Sequence, residues 1–244
     1  MQNTTHGPIP ITPTEQKAAA SSSHWRALAL WLILAAFGAA GCGIASGPAP
    51  PPKVFMLAPV SSSAAEDRQP DTADTDAAVP VIVGPVELPA YLDRPNVIKR
   101  QGSRIIASES VRWAEPLEQA VERVLALEIN KGAAGFRAYP VSFNPPPAEA
   151  MSGALNLTVN CYSFEAVNGE EVQLQAEWAL TDAGGRRLLA KSEASYHVLL
   201  DHGTWEDIIT AMEQALARLS ADVVRSLKTL HDASRTSAEK SPKE

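Results

Sequence analysis

The chain has 244 residues, 45% of them apolar, and a formal net charge of −7. Outside its flexible segments that is enough for one domain with a real core, at ~150 residues per domain. No lysine–arginine cluster stands out that could track a phosphate backbone, so nucleic-acid binding is not expected.

Residues 1–24 show no hydrophobic period and little charge, and read as a lead-in. Arg26 then precedes an apolar run from Ala27 to Ala40, which ends in small residues and Cys42. A charged edge, a short apolar core and a small-residue end is the layout of a secretory signal. The run is shorter than the ~20 residues a membrane-spanning helix needs, which favours removal over spanning. Ala39-Ala40-Gly41-Cys42 resembles the Leu-Ala-Gly-Cys lipobox of bacterial lipoproteins, with Ala39 in place of the usual leucine. A chance cysteine beside an ordinary cleavage site and an uncleaved apolar anchor are the alternatives. "GIASGPAPPPK" after Cys42 has the composition of a flexible tether. Acyl chains on Cys42 would each contribute ~0.8 kcal/mol per buried CH₂, a lasting anchor. Gly43, rather than aspartate, favours sorting to the outer membrane. If Cys42 carries lipid, Cys161 is the one remaining thiol and no intrachain disulfide can form.

The expected organisation is therefore 1–41 lead-in and signal, 42–78 lipidated cysteine, tether and acidic linker, 79–231 folded domain, and 232–244 disordered tail. A short strand near 53–58 would return across the linker to join the domain. "VPVIVGPVEL" is continuously apolar, as in a central strand covered on both sides. "GPVELPAYLDRPNVI" follows, with Pro85, Pro89 and Pro95 around an exposed-looking Tyr91-Leu92 and an Asp93-Arg94 pair. It reads as a rigid corner between strands or as a binding lip. "NVIKRQ" and "RIIASES" flank Gly102-Ser103, a hairpin pattern.

"WAEPLEQAVERVLALEINKG" switches to a helical period. Pro116 suits the first turn. Leu117, Val121, Val124 and the Leu125/Leu127 region form the apolar face, and Gly132 supplies a stop. "FRAYPVSF" reads as a strand before the Pro145-Pro146-Pro147 loop. Three alternating strands follow, joined by Asn168-Gly169 and Gly184-Gly185 turns. One face of this meander carries Gln173, Gln175, Glu177, Lys191 and Glu193 and should be wet. The last helix starts at Thr204, an N-cap, with Glu206 and Asp207 in its first turn. Trp205, Ile209, Met212, Leu216, Leu219, Val223, Leu227 and Leu230 form a stripe that packs on the sheet. Its far end could also meet another subunit. The fold class is α+β: a two-layer domain with an antiparallel-rich sheet and helices packed on one face.

No catalytic constellation emerges. Of the five histidines, His6 and His24 precede Cys42 and His231 lies in the tail. His197 and His202, with Asp201, offer too few ligands for a metal. A periplasmic hydrolase would need His197, Asp201 and a nucleophile to converge. Asp93, Glu109 and Glu115 are scattered carboxylates, and phosphate loops, nucleophile elbows and zinc motifs are missing. No catalytic residue, metal or cofactor is expected, and the chain does not read as an enzyme.

"VGPVELPAYLDRPNVIKRQGSRI", "RWAEPLEQAVERVLALEI", the meander and the last amphipathic helix together resemble the ABC-type transport auxiliary lipoproteins, the PqiC/YmbA group. The likeness covers roughly Val81 to Leu227. "KVFMLAPV" at 53–60 is similar to the strand that the family places just after its lipidated cysteine. The long lead-in and the acidic insertion at about 61–78 depart from the pattern. The resemblance implies a non-enzymatic, lipid-anchored, periplasm-facing subunit at the outer membrane, lipidated at Cys42. Its partners would be a mammalian-cell-entry (MCE) protein and inner-membrane transporter components, its cargo lipid, and a homo-oligomeric ring one assembly. Tyr91, Leu92, Arg94 and Trp113 are the candidate contact residues for a partner or a second copy. The alternative is a structural or regulatory outer-membrane lipoprotein of envelope assembly with no transport partner.

Overall fold

The computed structural model describes residues 50–60, 78–143, 151 and 153–239. Cys42 and the apolar run before it, most of the 61–78 linker, the Pro145–Pro147 loop and residues 240–244 lie outside the described residues. In chain order the elements are β1 (Lys53–Phe55), β2 (Val79–Glu87), β3 (Asn96–Gln101), β4 (Arg104–Trp113), α1 (Leu117–Gly132), β5 (Phe136–Pro140), β6 (Leu155–Val167), β7 (Glu171–Thr181), β8 (Leu188–Leu199) and α2 (Trp205–Glu239). The strands form one eight-stranded mixed sheet. α1 lies against β2 and β5, α2 lies against β6, β7 and β8, and the two helices touch each other. This is the expected α+β class.

β6 is the spine. One of its edges pairs antiparallel with β7 along nearly its whole length, and β7 pairs antiparallel with β8. The other edge is shared. β2 runs parallel to Leu155–Asn160, and β3 runs parallel to Ala166 and Val167 higher up. β2 also pairs parallel with β5, and β1 pairs parallel with β4 at the opposite margin. β2 is thus a central strand, and its consecutive Val81, Ile82 and Val83 are all buried, as two covered faces require. In β7, Val172, Leu174, Ala176, Trp178 and Leu180 are buried while the alternate residues are half-exposed. The helix-facing and wet faces follow from that period of two.

The hairpin turns fall where the glycines stand. Gly102 has φ +58° between β3 and β4, while Asn168 and Gly169 have φ +53° and +74° between β6 and β7. Asn168 also joins the two turns: its Oδ1 accepts the Gly102 N–H at 3.0 Å, and its own N–H donates to Arg100 O at 2.7 Å.

In α1, Leu117, Val121, Val124, Leu125 and Ile129 are buried, but Leu127 is exposed and does not share the apolar face. Gly132 ends the helix, yet the reversal is made at Gly135, with φ +80°. Gly132 serves instead as a contact point. A Cβ there would sit 3.2 Å from a Val224 methyl of α2, so its absence lets the helices approach.

α2 is capped as expected, in a reciprocal pair. The Asp207 N–H donates to Thr204 Oγ1 at 3.1 Å, and the Thr204 N–H donates to Asp207 Oδ2 at 3.2 Å. Ile209, Met212, Leu216, Leu219, Val223 and Leu227 are buried. Trp205 is half-buried beneath the Lys99 ammonium, 3.9 Å from its ring centroid. The helix does not end near His231 but runs on to Glu239. No glycine or proline interrupts those residues, and Ser234 and Thr236 hydroxyls donate back to the His231 and Asp232 carbonyls. Beyond Leu230 the sequence carries no large apolar side chain.

Candidate functional site

The proline loop is not a corner that reverses the chain. β2 leaves the edge of β6 at Glu87, opposite Asn160, and β3 rejoins the same edge at Lys99, opposite Ala166, in the same direction. Residues 88–95 are an outward excursion between two collinear stretches. Backbone bonds from Leu92 N to Pro89 O and from Arg94 N to Leu92 O, both 2.8 Å, curl the tip tightly. That curl turns Leu92 inward, where it is 2% exposed and part of the core.

Tyr91 is half-buried, and its hydroxyl donates to Glu165 Oε2 at 2.9 Å. Glu165, on β6, is 1% exposed. It accepts further bonds from Arg100 Nε at 2.8 Å and from the Phe164 N–H at 2.8 Å. Arg100 reaches on to Gln173 Oε1 at 2.8 Å. A buried carboxylate is tolerable because three donors, one of them a guanidinium, replace its water. Burial first, then the hydrogen bond and the negative charge of Glu165, hold the Tyr91 hydroxyl protonated well above its usual range. The Tyr91–Glu165–Arg100 cluster clasps the loop to the sheet.

A second buried carboxylate holds the foot of the loop. Glu122 of α1, 3% exposed, accepts the Val86 N–H at 3.4 Å and the Ser142 N–H at 3.1 Å. β2 shifts register between Val83 and Val86, and Gly84 there has φ +122°. A Cβ at Gly84 would lie 2.7 Å from Glu122 Oε1 and 2.8 Å from a Val141 methyl. Only glycine satisfies both the backbone angle and the space.

The expected contact set therefore divides. Leu92 and Trp113 are buried in the core, where the Trp113 backbone N–H also donates to Pro95 O at 2.7 Å. Tyr91 spends its hydroxyl within the chain. Arg94 projects from the tip, exposed, and makes no ion pair among the described residues. Leu92 and Trp113 pack inside this chain: each is apolar and the core is within reach.

The point where the tether joins the domain is equally specific. Leu57, 0% exposed, plugs the core beyond β1. Arg123 of α1 donates to Leu57 O at 2.8 Å, and the Ala58 N–H donates to Glu213 Oε1 of α2 at 2.8 Å. Lys53 pairs with Glu206 at 2.9 Å, and Lys131 reaches Val60 O at 3.5 Å. Residues 53–60 form a strap bound to both helices. Burial raises the Glu213 carboxyl above its usual range against the bond from Ala58.

His197, His202 and Asp201 do not converge. His197 Nδ1 lies 3.0 Å from Glu171, and among the described residues no group of His, Cys, Asp or Glu is arranged to hold a metal. Cys161 is buried, and its thiol is pushed up to about 12 by desolvation. No helix among the described residues is long and apolar enough to cross a membrane.

Alternation hides Glu165 in the sequence, but a signal was present. Leu155, Leu157, Val159 and Cys161 occupy odd positions, whereas Phe164 and Ala166 occupy even ones. That change of parity marks the bulge between Cys161 and Ser163.

The model of the ABC-type transport auxiliary lipoprotein component matches residues 61–224. The chain belongs to this family. Solved structures agree in fold. A Xanthomonas campestris protein of the DUF330 family superposes with a TM-score of 0.55 at 14% identity, over 75% of this chain and 99% of that one. A second structure, of an uncharacterized protein, gives 0.57 at 17% identity over 72% and 99%. No curated protein sequence matches the chain. Family membership makes the chain an auxiliary lipoprotein component of a transport system.

Proposed function

We propose that this auxiliary lipoprotein is anchored at Cys42 in the outer membrane, faces the periplasm, and docks a trans-periplasmic lipid conduit of an ABC/MCE-type system. The observation that carries the reading is the strap. A tether fixed into both helices by Leu57, Arg123 and Glu213 holds the domain within reach of its anchor. From Cys42 to Lys53 an extended chain spans roughly 35–40 Å, so the domain would stay near the membrane surface. Arg94, held out on a clasped loop, is the side chain best placed to pair with a carboxylate of an MCE protein, an inner-membrane component or a second copy.

Envelope crosslinking followed by co-purification tests this reading. Recovery of an MCE protein or a transporter subunit, weakened by Arg94→Ala, supports it. Normal expression with no transport partner overturns it in favour of a structural or regulatory lipoprotein of envelope assembly. Release of Cys42→Ala from the membrane fraction is expected; an unprocessed chain retained in the inner membrane would defeat the anchor assignment.

A further inference from the structure

The sheet face opposite the helices is polar, yet it presents one large aromatic side chain to solvent. Tyr162 is 58% exposed, between the buried Cys161 and Ser163. Tyr162 continues the outward-facing series of Thr158 and Asn160 along β6, and the register shift between Cys161 and Ser163 leaves it without a ladder partner. Exposing an aromatic ring forgoes its burial, and nothing in the core requires it here.

Beside the ring lies a shallow depression of about 300 Å³. Tyr162, Gln175, Glu193 and Ser195 line it, and the β7–β8 backbone at Ala176 and Ala194 forms its floor. Gln173 and Glu177 continue the polar face, and Glu177 pairs with Lys191 at 2.7 Å. The volume is at the low end of the ~300–1,000 Å³ typical of small-ligand sites.

The lining selects among ligand classes. A lipid tail needs an enclosed apolar wall, and the depression is open to solvent, with polar and apolar surface mixed. A phosphate needs convergent cations, whereas Glu177 and Glu193 here face a single Lys191. A pyranose ring fits better. Its C–H face stacks on the negative face of an aromatic ring. Its hydroxyls, each donor and acceptor, match an amide, a hydroxyl and a carboxylate. We infer that this depression is a binding site for a neutral saccharide, with Tyr162 as the stacking platform and Gln175, Glu193 and Ser195 as hydrogen-bonding partners. Gln175 and Ser195 face each other across the β7–β8 ladder, which fixes their spacing independently of β6.

Saturation-transfer NMR tests the site, using the full chain in a detergent without a sugar headgroup. N,N′,N″-Triacetylchitotriose, called chitotriose below, is the neutral probe and sialyllactose the anionic one. Saturation is expected to reach the ring C–H protons of chitotriose. Tyr162→Ala should weaken binding about tenfold, and Tyr162→Phe, which keeps the ring, by less than about twofold. Gln175→Ala and Ser195→Ala, on neighbouring strands, should each weaken it without altering the circular dichroism. Absence of transfer to chitotriose in the wild type overturns the site, as does equal binding by Tyr162→Ala or a preference for sialyllactose.

Discussion

Tyr91→Phe isolates the clasp of the proline loop. It deletes one hydroxyl and leaves the ring in place. Glu165 loses its bond from Tyr91 at 2.9 Å but keeps Arg100 and the Phe164 N–H, both at 2.8 Å. A hydrogen bond to a charged group contributes ~1.5–3 kcal/mol net. Tyr91 is only half-buried, so water partly replaces it, and the cost should be about 1.5 kcal/mol. At ~2–4 °C per kcal/mol for a protein of this size, the melting point falls by roughly 3–6 °C. Urea unfolding followed by tryptophan fluorescence should show a lower midpoint with an unchanged slope. Arg100→Met leaves the buried carboxylate without its counter-charge and should cost more, about 3–5 kcal/mol. Arg94→Ala should stay within ~0.5 kcal/mol of wild type. Wild-type stability in Tyr91→Phe, or an equal loss in Arg94→Ala, would refute the clasp.

Three further outcomes are expected. Gly84→Ala combines a strained φ with contacts below 3 Å to Glu122 and Val141, and should cost about 3 kcal/mol or more, read as lost soluble yield and a lower urea midpoint. Leu57→Ala should cost about 2–5 kcal/mol and open residues 53–60 to limited proteolysis before the rest of the domain, because the strap loses its plug. Stability should also fall at alkaline pH. The folded state holds the Tyr91 hydroxyl, the Cys161 thiol and the hydroxyl of Tyr196 on β8, which burial and its bond to Asp222 of α2 push up, protonated beyond their usual ranges. It therefore binds more protons than the unfolded chain above about pH 8.5 for the thiol and about pH 10 for the hydroxyls. The stabilisation is complete below those values and declines as pH rises through them. Cys161→Ala should flatten the first part of the decline and Tyr91→Phe the second; a flat profile from pH 8 to 11 in the wild type contradicts the burial argument.

Where the fold was legible in the sequence, the information was local. The meander, the Gly102 and Asn168-Gly169 turns, the Thr204 cap and the apolar stripe of α2 each rest on residues a few positions apart. The continuous Val81–Val83 run similarly announced a strand with two covered faces. Errors arose where a distant partner decides. Leu127 has the right spacing for the apolar face of α1, but the buried face is turned away from it, toward Leu125, Ala126 and Ile129. Gly132 looks like a stop and is a contact point, because Val224 lies across from it. α2 outran its expected end because a polar helix without breakers needs no core.

The candidate site was the least legible part for the same reason. Tyr91 and Leu92 are neighbours with opposite fates: one meets Glu165, the other the core. Proline fixes backbone angles in such a loop but does not say which side chain turns inward. Glu165 lies far along the chain, in a strand whose parity changes at a bulge, and only its three donors make its burial tolerable. The strap follows the same logic with greater separation, since Ala58 meets Glu213 and Leu57 meets Arg123. The two distant contacts have a joint mechanical consequence. A pull on an anchor at Cys42 would act first on Lys53–Val60, whose bonds to Arg123 and Glu213 divide the load between α1 and α2. The wet face of the sheet, with Tyr162 at its bulge, would bear none of it directly. That separation would let one face hold the domain to a tether while the other stays open for the saccharide inferred above.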